Sequence, residues 1–261
     1  SNTLAYLIPI EREVAYGKAV VRQMERFFGG TTTGELVCST PDGDAALDKM
    51  VARLSAGTPT DYELNVAVMR HEMVNAFAAP GGQVVLVEGL IDQAGSPDEV
   101  AAVLAHEIGH VVARDPARIA LRTAGSVGVL GLLFGDFAGG AAVLFMTERL
   151  IQANYSRDAE SNADVFALDL LDKAGLPPAA LARMFDRFRA AGGEAEGLIA
   201  HFSSHPALGD RIARAAELTQ VSGAPVLTAR EWRALQTACG AGGASFGTPS
   251  SGDRQRDIKN K

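Results

Sequence analysis

Cysteine is scarce in this chain, and so are a basic excess, aromatic rings and an unbroken apolar run. Cys38 and Cys239 are the only cysteines in 261 residues, too few for a disulfide framework or a cysteine-rich metal site. They leave two readings open, a single bridge in an oxidising compartment or two unrelated thiols, and a lone distant pair favours the second by default. The 24 basic residues are outnumbered by 31 acidic ones, and a net charge of −7 gives no basic stripe for nucleic acid, so no nucleic-acid partner is expected. Aromatic residues make up 6%, with Trp232 alone among tryptophans, where it is expected to anchor the last helix to the core. No secretory signal is visible. The chain opens Ser1-Asn2-Thr3 without Met, as a tag remnant left on a trimmed chain does, so a signal or anchor is expected to have preceded it.

The one stretch long enough to span a bilayer, 124–146, reads AGSVGVLGLLFGDFAGGAAVLFM. Gly135-Asp136 and Gly139-Gly140 divide it into two arms of about ten residues, each too short to cross helically. It reads as an apolar helical hairpin or lid beside the rest of the chain, with possible contact to a membrane surface.

What is present is globular: 47% apolar and 21% charged residues, enough to bury a core without staples. The spacing predicts helices over about 10–28 and from the Pro41-Asp42-Gly43-Asp44 turn to about Leu54. Alternation over Glu63 to Met69 and the short run Val84-Val85-Leu86, after a Gly81-Gly82 turn, predict strands. Two or three short strands cannot stand alone, so a small sheet packed on helices is expected. Ser96-Pro97-Asp98-Glu99 carries an N-cap, a Pro at N1 and a capping-box Glu, and so opens a helix to about Val112. One long helix is predicted over Thr147 to Leu171, others from Pro177-Pro178 to about Ala191 and up to about Leu218, and a last one behind the capping box Thr228-Ala229-Arg230-Glu231. These elements give an α+β, mainly helical fold: one domain over 1–239 (N-terminal helices 10–55, core 60–220) and a disordered tail over 240–261.

Histidine is also scarce, yet two of the five fall in His106-Glu107-Ile108-Gly109-His110. On a helix, residues i and i+4 share a face, so both imidazoles can hold one metal ion while Glu107 serves as general base toward a metal-activated water. A catalytic zinc takes three protein ligands and keeps one open position. Glu160 and Asp164, again i and i+4, offer a third ligand and a carboxylate that could fix the tautomer of a ligating His. Spacing alone does not separate this from a solvated acidic helix face. His71 and His201 carry no assignment.

Four stretches together resemble the HtpX and CAAX-prenyl-protease type of zinc metallopeptidases, including their soluble, BepA-like envelope members. They are Asn75-Ala76-Phe77-Ala78-Ala79-Pro80-Gly81-Gly82, then His106 to His110, then Ser156-Arg157-Asp158-Ala159-Glu160 with Ala163-Asp164, and Ser204-His205-Pro206 with Arg211. Their order covers roughly Asn65 to Ile212. The resemblance implies a zincin-like fold with the small mixed sheet at the active-site cleft. It also implies one zinc per chain on His106, His110 and Glu160, with Asp164 behind the ligands and Glu107 as base. Asn75, Gly81 and Gly82 would lie along an edge where extended substrate adds as a strand, and His205 and Arg211 would stabilise the oxyanion. Asp115 departs from the pattern, since relatives often carry His there, without touching a ligand position.

The function so implied is a zinc endopeptidase acting on unfolded or unassembled polypeptide in the periplasm or cell envelope. The alternative is an auto-inhibited or non-catalytic client-binding module, chaperone-like, in which zinc holds the fold.

Overall fold

The computed structural model describes Ala5 and residues 8–56, 60–123, 147–148, 151, 155–192 and 223–240. The apolar stretch 124–146, the predicted helix near 205–218 and the tail beyond Gly240 lie outside the described residues.

Helix α1, Ile10–Phe27, buries Glu13, Tyr16, Gly17, Val20 and Met24, a single stripe at three- and four-residue spacing. It stops before Gly29, whose φ of 99° is left-handed. The buried Glu25 then ties down the following loop by accepting from the backbone N–H groups of Gly34 and Leu36, both at 2.8 Å. Strand β1, Val37–Cys38, follows, and helix α2, Pro41–Ser55, starts where Thr40 caps it by accepting from Gly43 N.

Strands β2 (Asn65–Met69), β3 (Ala76–Ala79) and β4 (Gln83–Val87) complete a four-stranded mixed sheet in the order β1-β2-β4-β3. β2 runs parallel to β4, while β1 and β3 are antiparallel to their neighbours. Period two divides the side chains of β4 between two cores. Val84 and Leu86 join α2 and the helices beyond, while Val85 and Val87 join Tyr16, Val20 and Met24 of α1. Covered on both faces, β4 reads as an uninterrupted apolar run rather than an alternating one.

Short helix α3, Glu88–Gln93, leads to α4, Pro97–Val112. Ser96 caps α4 by accepting from Glu99 N, as expected, but the capping box is not closed. Glu99 reaches one residue further, accepts from Gly95 N at 2.8 Å and receives Arg187 Nε at 2.8 Å. Nearly every residue of α4 is buried, which makes it the central helix rather than a surface one.

Helix α5 is Asp115–Thr123, α6 is Arg157–Lys173, α7 is Ala179–Gly192 and α8 is Ala229–Gln236. The single helix predicted over 147–171 is not continuous. Residues 147, 148 and 151 are helical, but Tyr155 and Ser156 are not, and the Ser156 side chain caps α6 by accepting from Ala159 N. Hydroxyl capping at Ser156 outweighs the apolar periodicity that suggested continuity. At α8 the capping box of Thr228 and Glu231 forms as read, and Trp232 packs against the main core. No helix among the described residues is long and apolar enough to cross a membrane.

Of the two readings left open for Cys38 and Cys239, the less favoured one is found: the two form a disulfide. Folding supplies the proximity that spacing cannot reveal. α8 packs on α2, with Lys49 Nζ on Glu231 at 2.7 Å, and Arg70 donates to the Cys239 carbonyl beside the bridge. The bridge spans 201 residues of sequence and encloses all the elements from β1 to α8. In the chain-entropy description, closing so long a loop is worth up to about 5 kcal/mol, and typical natural bridges contribute about 2–4 kcal/mol. A Cys38→Ser/Cys239→Ser chain is therefore expected to melt roughly 10 °C below the oxidised parent. Calorimetry of the two proteins checks this, and equal melting temperatures would show that the clasp adds no stability.

Candidate metal centre

Two helices build the site. α4 presents His106 and His110 one turn apart on the face toward α6, and α6 presents Glu160 and Asp164 at the same spacing. Gly109, between the histidines, allows the close approach. A Cβ there would stand 3.1 Å from Ala163 Cα and 3.2 Å from Ala163 O, so a larger residue would push α6 and its carboxylates outward.

The two Nε2 atoms are 3.1 Å apart. Glu160 places Oε2 at 3.6 Å from His106 Nε2 and Oε1 at 3.4 Å from His110 Nε2. Ligands about 2.0–2.1 Å from a shared tetrahedral centre stand about 3.3 Å from one another; the two Nε2 atoms are near that spacing and each faces one oxygen of the Glu160 carboxylate at a similar distance, so the group has room for a zinc-sized ion. His106, His110 and Glu160 form the one such triad among the described residues.

Each imidazole is also held from behind. His106 Nδ1 lies 3.0 Å from Asp164 Oδ1, and His110 Nδ1 lies 3.0 Å from Asp115 Oδ2. An ionised carboxylate only accepts, so each Nδ1 carries a hydrogen, and a neutral ring then turns its Nε2 lone pair into the site. The ring of Tyr155 stacks on His110 with centroids 4.0 Å apart and planes at 15°. Asp115 is the residue that sequence reasoning missed. Its signal was the departure from the usual His, five residues past His110, where the chain reverses and brings a side chain back over the last turn of α4.

The electrostatics favour a cation. Glu107, Asp115, Glu160 and Asp164 are all buried around the two imidazoles. Burial alone lowers the His110 pKa, but hydrogen bonds to Asp115 and Glu160 and the charges of Glu107 and Glu160 outweigh it and push it up to about 9. The pocket therefore draws positive charge, and a divalent ion satisfies two facing lone pairs better than a proton can. The donor set, a pair of tautomer-fixed imidazoles and a carboxylate, fits zinc.

Glu107 is fully buried and one residue from His106, and its charge is felt by His110 and Tyr155. Asn75 precedes β3, is buried, and accepts from Ala76 N at 2.8 Å through Oδ1. Gly81 and Gly82, at φ of 70° and 80°, form the turn between β3 and β4. A Cβ on Gly81 would stand 2.4 Å from Val14 Cα, so α1 lies directly on this turn. His205 and Arg211 lie outside the described residues. His71, without an assigned role, accepts from Met73 N through Nδ1 and stacks on Phe28.

Comparison with known proteins agrees with this chemistry. Mitochondrial metalloendopeptidase OMA1 of Schizosaccharomyces pombe is 33% identical over 171 residues, covering 65% of this chain and 50% of that protein. Metalloprotease YcaL of Escherichia coli is 34% identical over 177 residues, covering 62% of this chain and 63% of its own length. A putative beta-barrel assembly-enhancing protease of Vibrio cholerae is 31% identical over 192 residues, covering 69% of this chain and 38% of its own. The chain thus spans only part of each of these relatives. The profile of Peptidase family M48 matches residues 41–219, well over half of the chain and every described residue of the metal centre, and the chain belongs to that family.

Proposed function

We propose that the chain is a zinc-dependent endopeptidase that hydrolyses unfolded or unassembled polypeptides in the cell envelope. The observation that carries this reading is the triad of donors from His106, His110 and Glu160, spaced for one tetrahedral ion and backed by Asp164 and Asp115. When bound, zinc supplies Lewis acidity, making the attacking water more acidic and the scissile carbonyl more electrophilic.

The residues supply the rest. Glu107 takes the proton from the attacking water and returns it to the leaving amine nitrogen, so one carboxylate serves first as base and then as acid. Asp164 and Asp115 keep both imidazoles in the tautomer that presents Nε2. β3, at the end of the sheet, takes extended substrate as an added strand, with Asn75 at its start and Gly81-Gly82 at its close. His205 and Arg211 stabilise the oxyanion of the tetrahedral intermediate.

The Cys38–Cys239 bridge supports an envelope location, because structural disulfides persist in oxidising compartments. The beta-barrel assembly-enhancing name of one relative points the same way and suggests envelope proteins as clients. The stretch 124–146 would supply membrane-surface contact. Burial of Glu107 and of all four residues of β3 gives weight to an auto-inhibited, client-binding alternative, since substrate reaches the base only after some cover shifts.

Casein hydrolysis decides between the two. Cleavage that a chelator abolishes and zinc restores supports the peptidase, whereas casein binding without cleavage supports the client-binding module. Glu107→Gln is expected to retain one zinc per chain and lose on the order of 10²–10⁴ in rate; full activity in that variant would remove Glu107 from the mechanism. Glu160→Ala is expected to lower zinc affinity sharply in a chelator competition, and an unchanged affinity would remove it from the ligand set.

A further inference from the structure

We propose that helix α1 is a working part of the metal site: its buried Glu13, paired with Arg114, positions Asp115 beneath His110 and thereby sets the affinity of the site for its metal. The inference rests on the reading of His106, His110 and Glu160 as metal ligands.

Ala113 caps α4 in ordinary right-handed geometry, and Arg114 then takes a φ of 55°, the one positive φ at a non-glycine among the described residues. Helices commonly close with such a residue, and glycine is the usual choice because any Cβ crowds the backbone there. An arginine in that conformation persists only where its surroundings hold it.

Among the described residues, four side-chain contacts hold it. Arg114 Nε donates to Glu13 Oε2 at 3.0 Å, and a terminal nitrogen donates to the same oxygen. That terminal nitrogen also donates to the Ile8 carbonyl at 3.2 Å, and the guanidinium lies over the Tyr62 ring, 5.7 Å from its centroid. Tyr62 in turn donates its hydroxyl to Glu13 Oε2 at 2.8 Å. Glu13 and Arg114 are both buried, so the pair is shielded from competing water and salt.

The reversal at Arg114 has a chemical consequence. It brings Asp115, the first residue of α5, back over the last turn of α4, with Oδ2 3.0 Å from His110 Nδ1 and Oδ1 3.1 Å from Arg118. A glycine at 114 would make the turn without tying it to anything. The arginine ties it to α1, and the same Glu13 carboxylate accepts from Gly81 N at 3.3 Å, at the β3–β4 turn. One buried side chain from the N-terminal helix therefore holds both the support of a metal ligand and the hairpin at the end of the sheet. In this arrangement Asp115, Arg114 and Glu13 are positioning residues, acting on the metal only through His110.

The test measures zinc dissociation constants by competition with a chromophoric chelator on the full chain, with melting temperatures of the metal-free proteins recorded alongside. The variants are Asp115→Ala, Glu13→Gln, Arg114→Gly and the double Glu13→Gln/Asp115→Ala. Asp115→Ala is expected to weaken zinc binding roughly 10- to 100-fold, the usual effect of losing the partner behind a ligating imidazole. Glu13→Gln and Arg114→Gly should each weaken it roughly tenfold. The double variant should bind no more weakly than Asp115→Ala alone, because Glu13 acts through Asp115. The visible ligand-field bands of the cobalt-substituted protein should shift in the same variants. A merely structural anchor would lower the melting temperatures and leave zinc affinity and the cobalt spectrum unchanged, and that result overturns the proposal. Additive losses in the double variant would overturn it as well. Should Glu13→Gln fail to fold, Arg114→Gly decides the matter, since glycine accepts the left-handed turn unaided. A parent chain that binds no zinc removes the metal reading and this inference together, whereas a parent that binds and variants that bind equally remove this inference alone.

Discussion

Two imidazole nitrogens, His106 Nε2 and His110 Nε2, face each other at 3.1 Å inside a buried site, each ring held by a carboxylate behind it. In water such a pair would turn apart or share solvent. Here neither can, because Asp164 and Asp115 hold the outer nitrogens, and Tyr155 lies flat against the His110 ring. The arrangement has a net demand for positive charge, and the rest of the protein is what keeps that demand from relaxing.

The scaffold meets it by surrounding α4 on every side. The sheet and α2 pack against one part of its surface, α7 and α6 against others, and Gly109 lets α6 come close enough for Glu160 to complete the triad. α1 covers the opposite face of the sheet and reaches around it through Glu13 to the end of α4. The Cys38–Cys239 bridge closes the layer that carries α2 and α8. Rigid helices, rather than loops, thus carry every donor of the triad, and helical supports hold geometry to within fractions of an ångström more readily than loops do.

Sequence spacing pointed to the α+β fold and to the candidate site by different signals. His106, Glu107 and His110 declare themselves because i, i+4 spacing on a well-capped helix leaves the two rings nowhere else to point, and Glu160 and Asp164 repeat that spacing. Strand β3 did not stand out, because Ala76-Phe77-Ala78-Ala79 is apolar on both faces and shows no alternation. The break at Tyr155-Ser156 was hidden by continuous apolar spacing and decided by one serine hydroxyl. Asp115 and the disulfide share a different difficulty. Both depend on a chain reversal or a long-range closure, at Arg114 and between residues 201 apart in sequence; Asp115 showed only as a departure from the usual His, and the disulfide left no local pattern.

The chemistry of the site depends on His106, His110 and Glu160 holding one zinc ion, as proposed. Anomalous diffraction recorded on either side of the zinc absorption edge, from crystals of the purified chain grown without added metal, tests it most directly. A single strong peak is expected about 2.0–2.1 Å from both Nε2 atoms and at a similar distance from a Glu160 oxygen. No peak at that position, or a zinc ion bound by other residues, would contradict it.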